Sequence, residues 1–200
     1  MTHIITIDTG TTNTRVTLWQ DGAVLAHQAC EVGVRDTAIT GNREKLQNGV
    51  RETIAKTLAA AGIDAEQVDL VIGSGMISSN VGLFELPHVL APAGLQQLAR
   101  GMVSVTIAEV FPKPIWFVPG VRNVVDNIGL HNCEAMDMMR GEEVEVMSVV
   151  DQLDITGPAM MVMPGSHSKF VCIDDKNRIT GCVTTLAGEL MYVITHNTIL

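Results

Sequence analysis

The stretch IITIDTGTTNTRVTLW, residues 4–19, decides the fold. An apolar run ends on one carboxylate, Asp8. Gly10 and the small polar residues Thr11, Thr12, Asn13 and Thr14 follow, and then a second apolar run that begins after Arg15. Residues 3–8 and 14–20 are expected to form two strands joined by this turn. Gly10 has no side chain to keep a ligand away from the backbone, so the turn can bring N–H groups close to a phosphate. Thr11, Thr12, Asn13 and Thr14 add donors, and Arg15 adds a fixed positive charge. Asp8 stands where a carboxylate can hold Mg²⁺ beside phosphates. On the residues alone, a polar β-turn accounts for the stretch equally well.

Downstream, Asp21-Gly22 is a hairpin signal, and residues 23–32 predict a third strand, so the chain opens as an antiparallel meander. The turn-rich residues 33–42 predict a loop. From Arg43 to Ala61 the apolar residues Leu46, Val50, Ile54 and Leu58 recur at steps of four, a helical stripe capped by Asn42 and ended by Gly62. Strands are expected over 69–75, 103–110 and 115–120, a short helix over 95–101 and a longer one over 142–153. Residues 120–141 show no clean period.

The pattern of the opening recurs near residue 165. An apolar run, the polar turn MPGSHSK (163–169) and a second apolar run suggest a duplicated meander, with two halves facing each other across a cleft. Here Gly165, Ser166, His167 and Ser168 supply donors and Lys169 a positive charge. The turn is neither a Walker loop nor a GxGxxG fingerprint. MRGEE (139–143) sets two glutamates after a glycine at an expected helix N-terminus, where carboxylates are favoured by the helix dipole. Capping alone can explain them. The functional alternative makes Glu142 a general base for a substrate hydroxyl, with Arg140 gripping a substrate carboxylate and Glu143 beside it on the substrate. In GSGMISSNVG (73–82), Ser78, Ser79 and Asn80 suit sugar hydroxyls, and an ordinary loop would look the same.

Composition narrows the class. With 46% hydrophobic residues and only 4% aromatics, aliphatic side chains and eleven methionines are expected to fill the core. A net charge of −9 argues against nucleic-acid and anionic-membrane partners. Four widely spaced cysteines predict free, buried thiols, and the spacing of His131, His167 and His196 matches no zinc site. With no signal pattern and no apolar run of about 18 residues, a cytoplasmic location is expected.

With DTGTTNTR, GMISSNVG, MRGEE, VMPGSHSK and LAGEL in this order, the chain resembles the 2-dehydro-3-deoxygalactonokinases, sugar-acid kinases of the actin/hexokinase-like superfamily. The resemblance implies a ribonuclease H-like α/β fold of two domains, residues 1–120 and 121–200. It implies ATP-dependent, Mg²⁺-assisted phosphorylation of 2-dehydro-3-deoxy-D-galactonate at its 6-hydroxyl, in galactonate catabolism. The two turns, through Asp8, Gly10, Thr11, Thr12 and Asn13 and through Gly165, Ser166, His167 and Lys169, would hold the ATP phosphates. Glu142 matches the catalytic base. The superfamily's third, adenosine-holding segment does not occur before Leu200, so the second domain is expected to be incomplete, with apolar surface open to homo-oligomer formation. Phosphorylation of another small acid, such as pantothenate or a gluconate relative, and binding of the sugar acid without catalysis are the alternatives.

Overall fold

The computed structural model describes residues 1–199. In chain order it contains β1 (His3–Thr9), β2 (Thr14–Gln20), β3 (Ala23–Cys30), α1 (Val34–Thr40), α2 (Glu44–Ala61), β4 (Leu70–Gly75), β5 (Val89–Leu90), α3 (Leu95–Gly101), β6 (Val103–Val105), β7 (Ile115–Phe117) and β8 (Val121–Arg122). There follow β9 (Met138–Met139), α4 (Glu142–Gln152), β10 (Ala159–Met163), β11 (Ser168–Ile173), β12 (Ile179–Thr185) and α5 (Ala187–Asn197). The chain divides into two compact units, residues 1–87 with 99–120, and residues 88–98 with 121–200.

The first unit is built on a mixed sheet of order β3-β2-β1-β4-β7-β6. β1 pairs antiparallel with β2 and parallel with β4. Along β1 alternate side chains turn inward, so Ile5, Ile7 and Thr9 are buried. α2 lays its expected stripe, Leu46, Val50, Ile54 and Leu58, into the same core. The buried hydroxyls of Thr53 and Thr57 are satisfied one turn back, donating to Gly49 O at 2.7 Å and Thr53 O at 2.8 Å. α2 ends where Gly62 turns left-handed at φ 66°. Arg43, not the expected Asn42, holds the N-cap position; Asn42 lies one residue before it, and its Oδ1 accepts the Glu44 N–H at 2.8 Å.

Residues 33–42, expected as a loop, instead hold α1. Its start is closed by the Asp36 carboxylate, which accepts the Gly33 N–H at 3.1 Å, and its end by Gly41 at φ 69°. Gly, Asp and Thr are both turn formers and helix-end residues, and in a seven-residue helix the ends are most of the element. The strand expected over 103–110 is only three residues long, because the chain turns at Ile107, whose carbonyl accepts the N–H groups of Val110 and Phe111.

The second unit holds the antiparallel sheet β10-β11-β12, a small sheet β5-β8-β9 and α4. Its core is Val146, Met147 and Val150 from α4 against Val171, Ile173, Ile179 and Cys182. The expected boundary at residue 120 misses one segment. His88–Leu98 belongs to this unit, because Ala93 and Ile179 exchange two backbone hydrogen bonds, at 2.9 and 2.8 Å. Among the described residues, Met139 and Met147 are the fully buried methionines, so methionine fills less of the core than expected. Of the cysteines, expected to be buried, Cys182 is, while Cys133 and Cys172 are exposed. No helix among the described residues is long and apolar enough to cross a membrane.

Leu46 has no exposed surface. Leu46→Ala should cost about 2–5 kcal/mol of unfolding free energy, the transfer and cavity cost of a buried leucine, read by urea denaturation.

Candidate active site

The first turn closes tightly, with the Gly10 N–H donating to Asn13 O at 2.9 Å. Asp8 points to the face of β1 opposite the core, and its register partner on β2 is Arg15. The Arg15 guanidinium donates to Asp8 Oδ2 at 3.0 Å, with both side chains about half exposed. A recess of about 500 Å³ opens beside the turn, lined by Thr12, Asn13, Glu31, Arg35, Asp36 and Ile39.

The second turn is more exposed. Gly165, Ser166 and His167 lie on the surface, and His167 Nε2 is 3.1 Å from Glu189 Oε2 on α5. A recess of about 490 Å³ adjoins it, lined by Gly165, Ser166, His167, Gly188, Glu189 and Tyr192. Lys169, expected beside these donors, is turned inward instead. It is 6% exposed, and its ammonium donates to Met138 O and Thr184 Oγ1, both at 2.8 Å. Thr184 Oγ1 in turn donates to Asp137 at 3.0 Å.

The N-terminus of α4 gathers MRGEE. Gly141 caps the helix at φ 117°, a conformation that a side chain would strain. Glu142 is one-third exposed. Its Oε2 accepts the Arg140 N–H at 3.0 Å, and its Oε1 is 3.6 Å from the Lys169 ammonium. Glu143 has no exposed surface, and both of its oxygens accept the Gly141 N–H, at 2.9 and 2.8 Å. Burial pushes its carboxyl up to about 7, with the Glu142 charge adding and the backbone N–H groups and Arg140 opposing. Arg140, expected to face a carboxylate, places Nη2 3.2 Å from each ring nitrogen of His88. Burial, then the charges of Arg140 and Arg122, hold His88 down at about 4, so it is neutral at pH 7.

In the loop after β4, the Ser78 hydroxyl is fully buried and donates to Val118 O at 2.9 Å, and Ser79 Oγ donates to Met76 O at 2.7 Å. Asn80 stays exposed, and its carbonyl accepts from Arg43 at 2.9 Å.

The family model of the 2-keto-3-deoxy-galactonokinases matches residues 8–200, a span that takes in both turns and MRGEE. The chain belongs to this family. It is 29% identical over 197 residues to the 2-dehydro-3-deoxygalactonokinase of Escherichia coli (strain K12), covering 98% of this chain and 58% of that relative. The crystal structure of a Sinorhizobium meliloti protein assigned as a 2-dehydro-3-deoxygalactonokinase superposes with a TM-score of 0.75 at 28% identity, over 98% of this chain and 58% of that one. A reductive activator for a corrinoid, iron-sulfur protein matches with a TM-score of 0.53 at 13% identity, over 88% of this chain and 30% of that one, a likeness of fold alone. The chain thus spans under three-fifths of the length of this curated relative.

Within the second unit, the structure brings Arg140, Glu142, Glu143 and Lys169 together around the first turn of α4. His88, Asp137 and Thr184 join them and had no sequence signal: each is a long-range partner, 52 positions from Arg140 for His88 and 47 between Asp137 and Thr184. No cluster of three potential metal-ligating side chains occurs among the described residues.

The buried Glu143 makes stability fall with pH. A carboxyl whose folded pKa stands above its unfolded one stabilises the fold at low pH and loses that contribution as pH rises through the folded value. From the ordinary 4.5 to about 7 the loss amounts to about 3 kcal/mol. Glu143→Gln should flatten this dependence and be more stable than the wild type at pH 8, read by urea denaturation at pH 5 and 8.

Proposed function

We propose that the chain carries the phosphate-binding turns and the catalytic base of a sugar-acid kinase with an actin-like, ribonuclease H-like arrangement. The reaction is transfer of the γ-phosphoryl group of ATP to the 6-hydroxyl of 2-dehydro-3-deoxy-D-galactonate. The observation that carries this reading is Glu142. It is the one glutamate of MRGEE with exposed carboxylate surface, beside Arg140 and the Lys169 ammonium, in a segment within the family match.

Phosphoryl transfer asks for positioning, charge neutralisation and a base. The turn at Gly10, Thr11, Thr12 and Asn13 and the turn at Gly165, Ser166 and His167 offer donors to the phosphates. Glu142 accepts the proton of the attacking hydroxyl as the oxygen bonds to phosphorus and ADP leaves. Arg140, now against neutral His88, would take the substrate carboxylate, and the exposed Asn80 would offer its amide to a sugar hydroxyl; the Ser79 hydroxyl is buried and donates to Met76 O instead. Lys169, tied to Met138 and Thr184, serves by holding Glu142 rather than by reaching a phosphate. Mg²⁺ would neutralise charge on the phosphates. Asp8 would hold it: a half-exposed carboxylate beside a donor turn is a hard oxygen ligand of the kind Mg²⁺ takes together with phosphates, and the pair with Arg15 uses only its Oδ2. Exposed Leu190, Met191, Tyr192 and Ile194 on α5 support self-association, to be read by sedimentation.

The test is ADP release from MgATP by this chain, dependent on 2-dehydro-3-deoxy-D-galactonate. Glu142→Gln should lower kcat roughly 10²–10⁴-fold while sugar-acid binding persists. A variant that binds poorly yet turns over normally would move Glu142 to recognition. Asp8→Ala should cut turnover severely, and normal rates at limiting Mg²⁺ would remove the metal role. Sugar-acid binding with no ADP release from the wild type would make the chain a binder of the acid.

A further inference from the structure

Each unit contains, within itself, a close approach of the same kind that no motif describes. Gly33 lies 23 positions after Gly10, and Gly188 lies 23 positions after Gly165. Each follows the third strand of its meander, β3 or β12, and each enters the next helix, α1 or α5. A Cβ on Gly33 would stand 2.5 Å from the carbonyl carbon and oxygen of Thr11 and 2.6 Å from Thr12 N. A Cβ on Gly188 would land on Gly165 O, with Ser166 Cα at 3.0 Å. All of these are backbone atoms, which cannot swing aside. Neither glycine needs its conformational freedom, since Gly33 is extended at φ −148° and Gly188 has no positive φ.

The helix starts also occupy the carbonyls of the turns. The Val34 N–H donates to Gly10 O at 3.2 Å, and the Arg35 N–H to Thr11 O at 2.9 Å. In the second unit the Glu189 N–H donates to Ser166 O at 3.0 Å, and its carboxylate reaches back to His167. The N–H groups of Thr11, Thr12 and Asn13, and of Ser166 and His167, meet no acceptor among the described residues. Turning the carbonyls into a following helix removes partial negative charge from the turn and leaves its donors open, the electrostatics an anion needs.

We propose that Gly33 and Gly188 are paired positioning residues, each letting a following helix press on a donor turn and bind its carbonyls, so that the turn presents N–H groups to a polyphosphate. This rests on the kinase reading for its ligand, and it adds residues that reading does not use. The probe is inorganic triphosphate, titrated into the ¹⁵N-labelled chain, with amide hydrogen exchange recorded alongside. In the wild type the Arg35 and Glu189 amides should exchange slowly. The amides of Thr11–Asn13 and of Ser166 and His167 should exchange fast and shift on adding triphosphate. Gly33→Ala and Gly188→Ala should each weaken triphosphate binding by roughly tenfold or more and speed exchange at Arg35 or Glu189. Gly62→Ala, which strains the left-handed end of α2 with nothing within 4 Å, should lower Tm yet keep the affinity. A folded Gly33→Ala or Gly188→Ala chain that binds as the wild type does overturns the proposal. If the alanine variants do not fold, fast exchange at Arg35 and Glu189 in the wild type overturns it, and slow exchange there supports it. A wild type with slow exchange at both amides but no response to triphosphate overturns the phosphate reading of the turns while the brace itself stands.

Discussion

The first unit depends on the register of β1 between its two neighbours. One strand pairs antiparallel on one side and parallel on the other, so every residue in it is fixed twice: Asp8 opposite Arg15 and opposite Ser74, Ile7 opposite Val16 and opposite Gly73. Because side chains alternate, a slip by one residue would carry Ile5 and Ile7 to the outer face and push Asp8 into the core. Two isoleucines brought out of burial would cost roughly 1.5–3 kcal/mol each, and an unpaired buried carboxylate several more. The ion pair of Asp8 with Arg15, about half exposed, contributes at most about 1 kcal/mol and cannot set the register. Apolar alternation therefore places the one carboxylate beside the turn, and the ion pair follows from it.

The second unit solves the same problem with charge inside. Lys169, Val171 and Ile173 share the buried face of β11, so the lysine sits in a core position. An ammonium there is tolerable only with partners, and it has a carbonyl, a hydroxyl and the Glu142 carboxylate. The result is a first turn of α4 whose two glutamates differ in kind. Glu143 is locked under Gly141 and keeps its proton up to about pH 7, and Glu142 is held from two sides with its carboxylate partly open to solvent.

What the sequence made legible follows from how local each signal is. The alternation of β1 and β2, the step of four in α2 and the pairing of glycine with hydroxyls at both turns all lie within a few residues, and each sits where the pattern placed it. The direction of Lys169 was legible too. It is in phase with Val171 and Ile173, and period two points it inward, whereas reading it by residue type as a charge after a turn pointed it outward. α1 was hidden because its end residues are turn residues. His88 beside Arg140, and the bridge of Ala93 to Ile179 that carries residues 88–98 into the second unit, join positions far apart in the chain, and no local pattern encodes them.

Glycine in two matching places calls for one explanation, and backbone flexibility does not supply it. A glycine at an ordinary φ gives up about 0.5–1 kcal/mol relative to alanine through the freedom of the unfolded chain. Gly33 bears that cost in an extended conformation open to any residue, so what is needed is the missing Cβ. The same holds at Gly188, at the same distance from its turn. Two meanders with different sequences, one making its first turn at DTGTT and the other at MPGSH, thus meet one steric requirement: a helix that starts close enough to its own meander's turn to take carbonyls of that turn. That requirement couples the third strand and the helix behind it to the turn in front, and it makes the length from turn to glycine a property of the supersecondary unit rather than of either sequence.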